Sequence, residues 1–398
     1  MNICFFSDIH ISKERGGVER VTSMLAEALQ QIGNNVIMLS VSQPLDNDSL
    51  LSNQSVLPDK DICSQNNIVF VKGLLKEKEI DIIINQSETL STYNLLKAVR
   101  GKSILITCIH NDPATIIKEV NDRWDLWRIK NGDLKYHLLY PYIIVRKKIQ
   151  RYYRLEFLKD KYRKHYNNSD AIILLSSNYV EIFKKIISIQ EDSKIHIIPN
   201  PVDFTLFNNV NSPKQNVVLF VGRLVYQKRI DRLLTIWNKV KHKEGWKLII
   251  IGDGSDKSFF QEYNHKLRNN NVEFLGLQNP APFYQEAKIL CITSSYEGSP
   301  CVIQEALFNN VIPITFNSFE AANDYIENNK TGFLIEPFNI HKYAQTLSML
   351  ISDKTLIKEI KENIKKENIC SKIGIEQIIP IWETLFERLR KRLNDPSS

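Results

Sequence analysis

Short apolar runs alternate with amphipathic helical stretches along this chain, and they do so in two consecutive sets. In the first set, residues 3–6, 36–39, 82–84, 104–108 and 171–175 read as strands. Runs without polar alternation suit a parallel sheet whose two faces are both covered by helices. Val18, Val21, Leu25, Ala28, Leu29 and Ile32 recur at helical spacing, so a helix is expected from Gly17 to about Gly33. Pro199 and Pro201 then end a strand and stiffen its exit, and the polar stretch 208–216 reads as a linker. The second set begins at once. Strands are expected at 217–221, 247–251, 272–275, 289–293, 311–315 and 332–335, with helices between them and on to the end. The expected fold class is α/β, with two doubly wound, Rossmann-like domains facing each other across a cleft. Their expected bounds are 1–200 and 201–370, with a last helix at 371–398. Residues 46–67 show no periodicity and read as a surface loop with room for one short helix.

The 398 residues carry a net charge of +7, and it is concentrated. Residues 134–166 hold ten Lys or Arg against Glu156 and Asp160, which accounts for the whole excess. A general nucleic-acid-binding surface is therefore not expected. The same segment interleaves Tyr136, Tyr140, Tyr142, Tyr152, Tyr153, Phe157, Tyr162 and Tyr166 with its cations. Three readings stay open: a helical excursion packed by one face, a helix lying on an anionic membrane surface, or contact with an RNA-like partner. The end of the last helix is also basic, through Arg388, Arg390, Lys391 and Arg392. No run of about 18 apolar residues is present, so no membrane-spanning helix is expected. The start enters a strand directly, without the basic region of a signal peptide, and the six scattered cysteines read as reduced core or near-core residues. The expected location is cytoplasmic, including the inner face of the cytoplasmic membrane.

Chemistry-bearing residues gather where predicted strands end. After 289–293 come Glu297, Gly298, Ser299, Pro300, Cys301, Val302 and, about two helical turns in, Glu305. A helix start offers free N–H groups and the positive end of a dipole, which suits a phosphate. Two flanking acids make the segment read as a sugar-nucleotide site. Arg223 follows the strand 217–221 with Lys228 five residues later, a pair of cations able to neutralise a diphosphate or simply to lie solvated. Gly16, Gly17, Glu19 and Arg20 open the first helix; the two glycines allow close approach of an anion. His110 ends the strand 104–108. Gly252-Asp253-Gly254 reads as a tight turn only. No Asp-x-Asp at a strand end suggests a metal.

In order and spacing, Gly16-Gly17-Val18-Glu19-Arg20, Pro199-Asn200-Pro201, Gly222-Arg223-Leu224 with Lys228, Gly252-Asp253-Gly254 and Glu297-x7-Glu305 resemble the family-4 glycosyltransferases, as does Asn329-Lys330-Thr331-Gly332. That resemblance implies a GT-B fold and a retaining, metal-independent hexosyltransferase with no cofactor. The implied donor is a nucleoside-diphosphate sugar, uridine-based before guanosine-based. The implied acceptor is a glycan or lipid-linked glycan in surface polysaccharide or lipopolysaccharide synthesis. It implies that Glu305 binds ribose, that Glu297 and the amides of 298–302 face the sugar, and that Arg223 and Lys228 hold the diphosphate. Gly17 would approach the distal phosphate, and His110 the sugar near its 6-position. The last helix would return to the first domain. A non-catalytic sugar-nucleotide binder and a sugar-nucleotide epimerase of the same architecture are the alternatives.

Overall fold

The computed structural model describes residues 1–11, 17–42, 53–121, 140–207, 213–368 and 370–394. The chain divides into two compact units, Met1–Pro201 with Ile375–Ser398, and Val202–Gly374.

The first unit is built on seven parallel strands: β1 (Asn2–Ser7), β2 (Asn35–Ser40), β3 (Gln54–Val56), β4 (Ile82–Asn85), β5 (Ile104–Ile109), β6 (Ala171–Leu174) and β7 (Ile195–Ile197). Their order across the sheet is β3-β2-β1-β4-β5-β6-β7. Every residue of β4, β5 and β6 is buried, as strands covered on both faces require. The helix Val18–Gln31 buries Val21, Leu25, Ala26 and Leu29. The helix Ile375–Asn394 belongs to this unit and packs against Val18–Gln31.

Two expectations need correction here. The stretch read as a loop at 46–67 contains β3, whose residues 54–56 pair with Met38, Leu39 and Ser40. It also contains the start of the helix Gln65–Glu77, capped by the Ser64 side chain accepting from the Asn67 N–H at 3.1 Å. A three-residue edge strand has no periodicity of its own and takes its register from a neighbour. Cys63 is exposed just before that cap, whereas Cys4, Cys108 and Cys291 are buried.

The basic segment forms the helix Tyr140–Asn168; residues 134–139 lie outside the described residues. Its second half is packed, with Leu158, Lys161, Tyr162 and His165 buried. Its first half leaves Tyr142, Val145, Ile149, Tyr152, Tyr153 and Phe157 exposed, from 49% to 68%.

The second unit carries six parallel strands: β8 (Val217–Val221), β9 (Lys247–Ile251), β10 (Val272–Gly276), β11 (Ile289–Ile292), β12 (Ile312–Phe316) and β13 (Phe333–Ile335). The order is β10-β9-β8-β11-β12-β13. In both sheets the chain first winds outward in one direction and then resumes on the other side of its first strand. That switch lies between β1 and β4 in one unit and between β8 and β11 in the other. Loops diverge at such points and leave a crevice at the carboxyl ends of the strands.

Candidate functional site

The loops that leave β8 and β11 diverge at the second unit's switch point, and they are tied together. The Ser295 N–H donates to Gln227 O at 2.9 Å, and Gln227 Nε2 donates to Tyr296 O at 2.9 Å. Thr293 Oγ1 donates to the carbonyls of Lys228 and Arg229 at 3.0 and 3.1 Å. Arg229 sits in the left-handed region at φ 50°, and its buried guanidinium grips Asp231 through Nε–Oδ1 at 2.9 Å and Nη2–Oδ2 at 2.8 Å. That bidentate pair holds the turn Tyr226–Lys228 in place.

Within this frame Lys228 Nζ lies 2.5 Å from Glu297 Oε1. Both side chains are largely enclosed, at 18% and 9% exposure, so the contact is a shielded ion pair rather than a surface one. Arg223 is different. It is exposed, and its side chain has no hydrogen bond or ion pair among the described residues. The two cations therefore differ in state: one is already neutralised by an acid of the opposite loop and one is free.

Glu297 is followed by Gly298, buried Ser299 and Pro300, the N-cap residue of the helix Cys301–Phe308, whose ring makes no cap hydrogen bond. Ser299 Oγ lies 3.0 Å from the Tyr325 hydroxyl, and burial raises that phenol's pKa. Glu305 is on the second turn and only 1% exposed, held among protein groups.

The loop carrying Arg223 is fixed from its other side by β9. The N–H of Gly222 donates to Ile251 O at 3.0 Å, and that of Leu224 to Asp253 O at 2.9 Å. A Cβ on Gly252 would stand 1.9 Å from Gly222 O, and one on Gly254 would stand 2.5 Å from Leu224 O. These glycines do more than permit a turn: they let two backbones touch. Asp253 caps locally, accepting from the Gly254 N–H at 2.8 Å and from Lys257 Nζ at 2.7 Å.

In the first unit, Gly17 opens its helix at φ 79° and is exposed, again with no side-chain cap; Gly16 lies outside the described residues. His110 leaves β5 and is locked by the loop after β4. Its Nε2 meets Gln86 Oε1, and its backbone N–H donates to Glu88 Oε1 at 3.0 Å. Glu88 Oε2 accepts from Lys161 Nζ at 3.0 Å and from the Tyr162 hydroxyl at 3.2 Å. Burial would raise the Glu88 carboxyl, but Lys161 and the other donors outweigh it and hold the pKa below its usual value. Burial lowers His110 to about 4, against the opposing pull of Glu88, so the ring is neutral near pH 7. It can hydrogen-bond there as a neutral imidazole.

Gln86 and Glu88 were not singled out from the sequence, and Lys161 and Tyr162 were read only as members of the basic aromatic segment. The polar run 85–88 directly after the apolar strand β4 was an available signal for the first two. Lys161 and Tyr162 come from a helix more than 70 residues further on, and nothing local announces them.

Among the described residues, no group of three or more His, Cys, Asp or Glu is arranged to hold a metal ion.

Residues 203–367 match the family model described as glycosyl transferases group 1, and residues 15–206 match glycosyltransferase family 4. A Campylobacter jejuni alpha-1,4-N-acetyl-D-galactosaminyltransferase, which acts on an undecaprenol-diphosphate-linked GalNAc glycan by its name, is 30% identical over 258 residues. That match covers 63% of this chain and 69% of the relative. A Staphylococcus aureus poly(ribitol-phosphate) alpha-N-acetylglucosaminyltransferase is 29% identical, over 56% of this chain and 47% of its own length. Among solved structures, Anabaena HepE in complex with UDP and glucose superposes with a TM-score of 0.72 at 16% identity, covering 97% of this chain and all of the other. WaaG, a glycosyltransferase involved in lipopolysaccharide biosynthesis, gives 0.67 at 15% identity, over 97% and 99%.

Proposed function

The chain belongs to the family-4, group 1 glycosyltransferases, with two Rossmann-like parallel-sheet domains of the GT-B fold, and from that premise we propose the finer points of its reaction. It moves a hexose-type sugar, with retention, from a uridine-diphosphate sugar to a glycan or lipid-linked acceptor of a bacterial surface polymer. The names of the Campylobacter and Staphylococcus relatives support that acceptor class.

The observation that carries the reading is the set of groups at the ends of β8 and β11: a free guanidinium at Arg223, a shielded Lys228–Glu297 pair and the start of a helix at Cys301. In this proposal the diphosphate takes Arg223 and the helix N–H groups, and Lys228 turns part of its charge from Glu297 to phosphate. Glu297, released, meets sugar hydroxyls; Glu305 meets ribose. The bond from the anomeric carbon to the diphosphate oxygen breaks, and the acceptor hydroxyl oxygen bonds to that carbon on the same face. The departing diphosphate takes the hydroxyl proton, and the cations stabilise its charge without a metal.

The test compares two variants. Arg223→Ala should melt within about 0.5 kcal/mol of wild type, because nothing in the fold depends on that side chain, yet lose about 100-fold in turnover. Lys228→Met should lose activity and also about 3 kcal/mol of stability, since it removes the cation that faces an enclosed carboxylate. Full turnover in Arg223→Ala would sink the diphosphate assignment. Donor supplied without acceptor separates the alternatives: a pure binder releases no nucleoside diphosphate, and an epimerase returns an isomerised sugar nucleotide.

The same proposal places the protein peripherally on the inner face of the membrane. On the helix Tyr140–Asn168, the exposed Tyr142, Val145, Ile149, Tyr152, Tyr153 and Phe157 follow i, i+3, i+7, i+10, i+11 and i+15, which is one face. Arg151 and Arg154 fall on the opposite side of that wheel, where the exposed Ile144 also lies, and Arg146 stands within the aromatic face itself; aromatic and basic side chains side by side suit an interface with anionic lipid. No described helix is long and apolar enough to cross a membrane. Vesicles containing anionic lipid should bind the protein, and rising salt should weaken the binding. Equal binding to neutral and anionic vesicles would remove the electrostatic part.

A further inference from the structure

A groove of about 370 Å³ lies at the edge of the first unit's sheet, between β7 and the helix Ile375–Asn394. That volume is enough for a small ligand. The groove is lined by the buried Ile198 and Leu385, by the exposed Ile197 and Ile381, and by His196 and Arg388. β7 is the last strand of its sheet and pairs with β6 alone.

The charge beside these isoleucines is of one sign. At 3.6 residues per turn, Lys391 and Arg392 fall on the same side of the helix as Ile381, Leu385 and Arg388, whereas Glu383 and Glu387 fall outside it. Arg388, Lys391 and Arg392 make no hydrogen bond or ion pair among the described residues. Burial lowers the His196 pKa, and the charges of Arg388 and Arg392 lower it further, so both guanidiniums stand near the ring. Glu191 and Asp192, which precede β7, lie towards Tyr166, and Asp192 faces Lys184 at 3.9 Å. The helix dipole attracts cations to the last turn, and Arg388 stands before it. Unpaired cations next to exposed apolar side chains are complementary to an anion with an apolar body.

We propose that the groove binds one anionic phospholipid: an acyl chain lies along Ile197, Ile381 and Leu385, and Arg388 and Arg392 take the phosphate. A free phosphate would leave the isoleucines exposed, and a neutral chain would leave the arginines unpaired. An added peptide strand is disfavoured, because β7 has three residues and its first N–H already donates to Asp192 O at 2.7 Å. The groove adjoins the end of the helix Tyr140–Asn168, since Lys194, just before β7, donates to Tyr166 O at 3.3 Å and to Ser169 O at 2.9 Å. The inference rests on the peripheral placement above for its lipid, and it adds recognition of a single lipid by head and chain.

The probes are monomeric dihexanoylphosphatidylglycerol and dihexanoylphosphatidylcholine, glycerol phosphate, a hexaglutamate peptide, and phosphatidylcholine vesicles with and without phosphatidylglycerol. The proteins are wild type, Ile381→Asp, the double variant Arg388→Gln with Arg392→Gln, and Tyr152→Ser with Tyr153→Ser on the helix Tyr140–Asn168. Wild type should bind the glycerol lipid about 10-fold more tightly than either the choline lipid or glycerol phosphate. Ile381→Asp and the arginine variant should each lose about 10-fold for that lipid, and the tyrosine variant should lose nothing. All five positions are exposed, so thermal unfolding of the variants should match wild type. Equal affinity for the two lipids, equal affinity for glycerol phosphate, unchanged binding in either groove variant or tighter binding of the peptide would each overturn the inference. Vesicles separate it from the peripheral placement. Vesicle binding without binding of the monomeric lipid sinks the groove site alone. Monomer binding through the groove without vesicle binding sinks the peripheral placement and leaves the groove site standing.

Discussion

Gly252→Ala should cost about 4 kcal/mol or more, placing it among the few substitutions whose size identifies their cause. The added methyl would lie 1.9 Å from Gly222 O and 2.9 Å from Gly222 C, and Gly252 has φ +135°, which side chains rarely adopt. Neither backbone can retreat cheaply. The Gly252 N–H donates to Gly276 O at 2.8 Å, and Gly222 and Leu224 are bonded to Ile251 and Asp253. Relief would break several of these bonds and shift the loop that presents Arg223. Gly245→Ala is the control, because Gly245 also has positive φ, at +75°, but nothing lies within 4 Å of its Cβ position. That change should cost only about 1–2 kcal/mol of backbone strain. Thermal unfolding of the two variants measures the difference. Melting of Gly252→Ala at the same temperature as Gly245→Ala would show that the close approach carries no cost.

Glu305→Ala should weaken UDP binding by about 30- to 150-fold, equivalent to about 2–3 kcal/mol, through loss of charged hydrogen bonds to ribose. The carboxylate is 1% exposed, so its removal also disturbs the groups that enclose it. Glu305→Gln preserves shape while removing charge, and it should retain the fold and lose a smaller part of the affinity. Calorimetric titration with UDP, after thermal unfolding has shown each variant to be folded, is the measurement. Unchanged affinity in a folded Glu305→Ala protein would refute the ribose role.

The strand-end placement of Arg223, Lys228, Glu297 and Glu305 was legible because it is a local matter. An apolar run, a turn with Gly and Pro, and the start of a helix are all written within about 15 residues. His110 was legible for the same reason, as the polar residue just beyond a buried strand. The strand β3 was not, since three residues carry no period and their pairing with Met38, Leu39 and Ser40 is a tertiary fact. The glycines at 252 and 254 were read as turn residues, because a sequence exposes a backbone's freedom but not its neighbour. What they accommodate is the carbonyl of a residue 30 positions earlier.

By itself, the sequence determined two α/β halves, the positions where their strands end and the family whose motifs those ends carry. These follow from hydrophobic period and turn chemistry, which act over a few residues. Only the tertiary structure decided the electrical state of the groups at those strand ends. In the second unit it paired Lys228 with Glu297, left Arg223 free and enclosed Glu305; in the first unit, taken by itself, it buried His110 and placed Gln86 and Glu88 beside it. Charge and hydrogen bonding depend on separations of a few ångströms and on how far water is excluded, and both are set by residues distant in the chain.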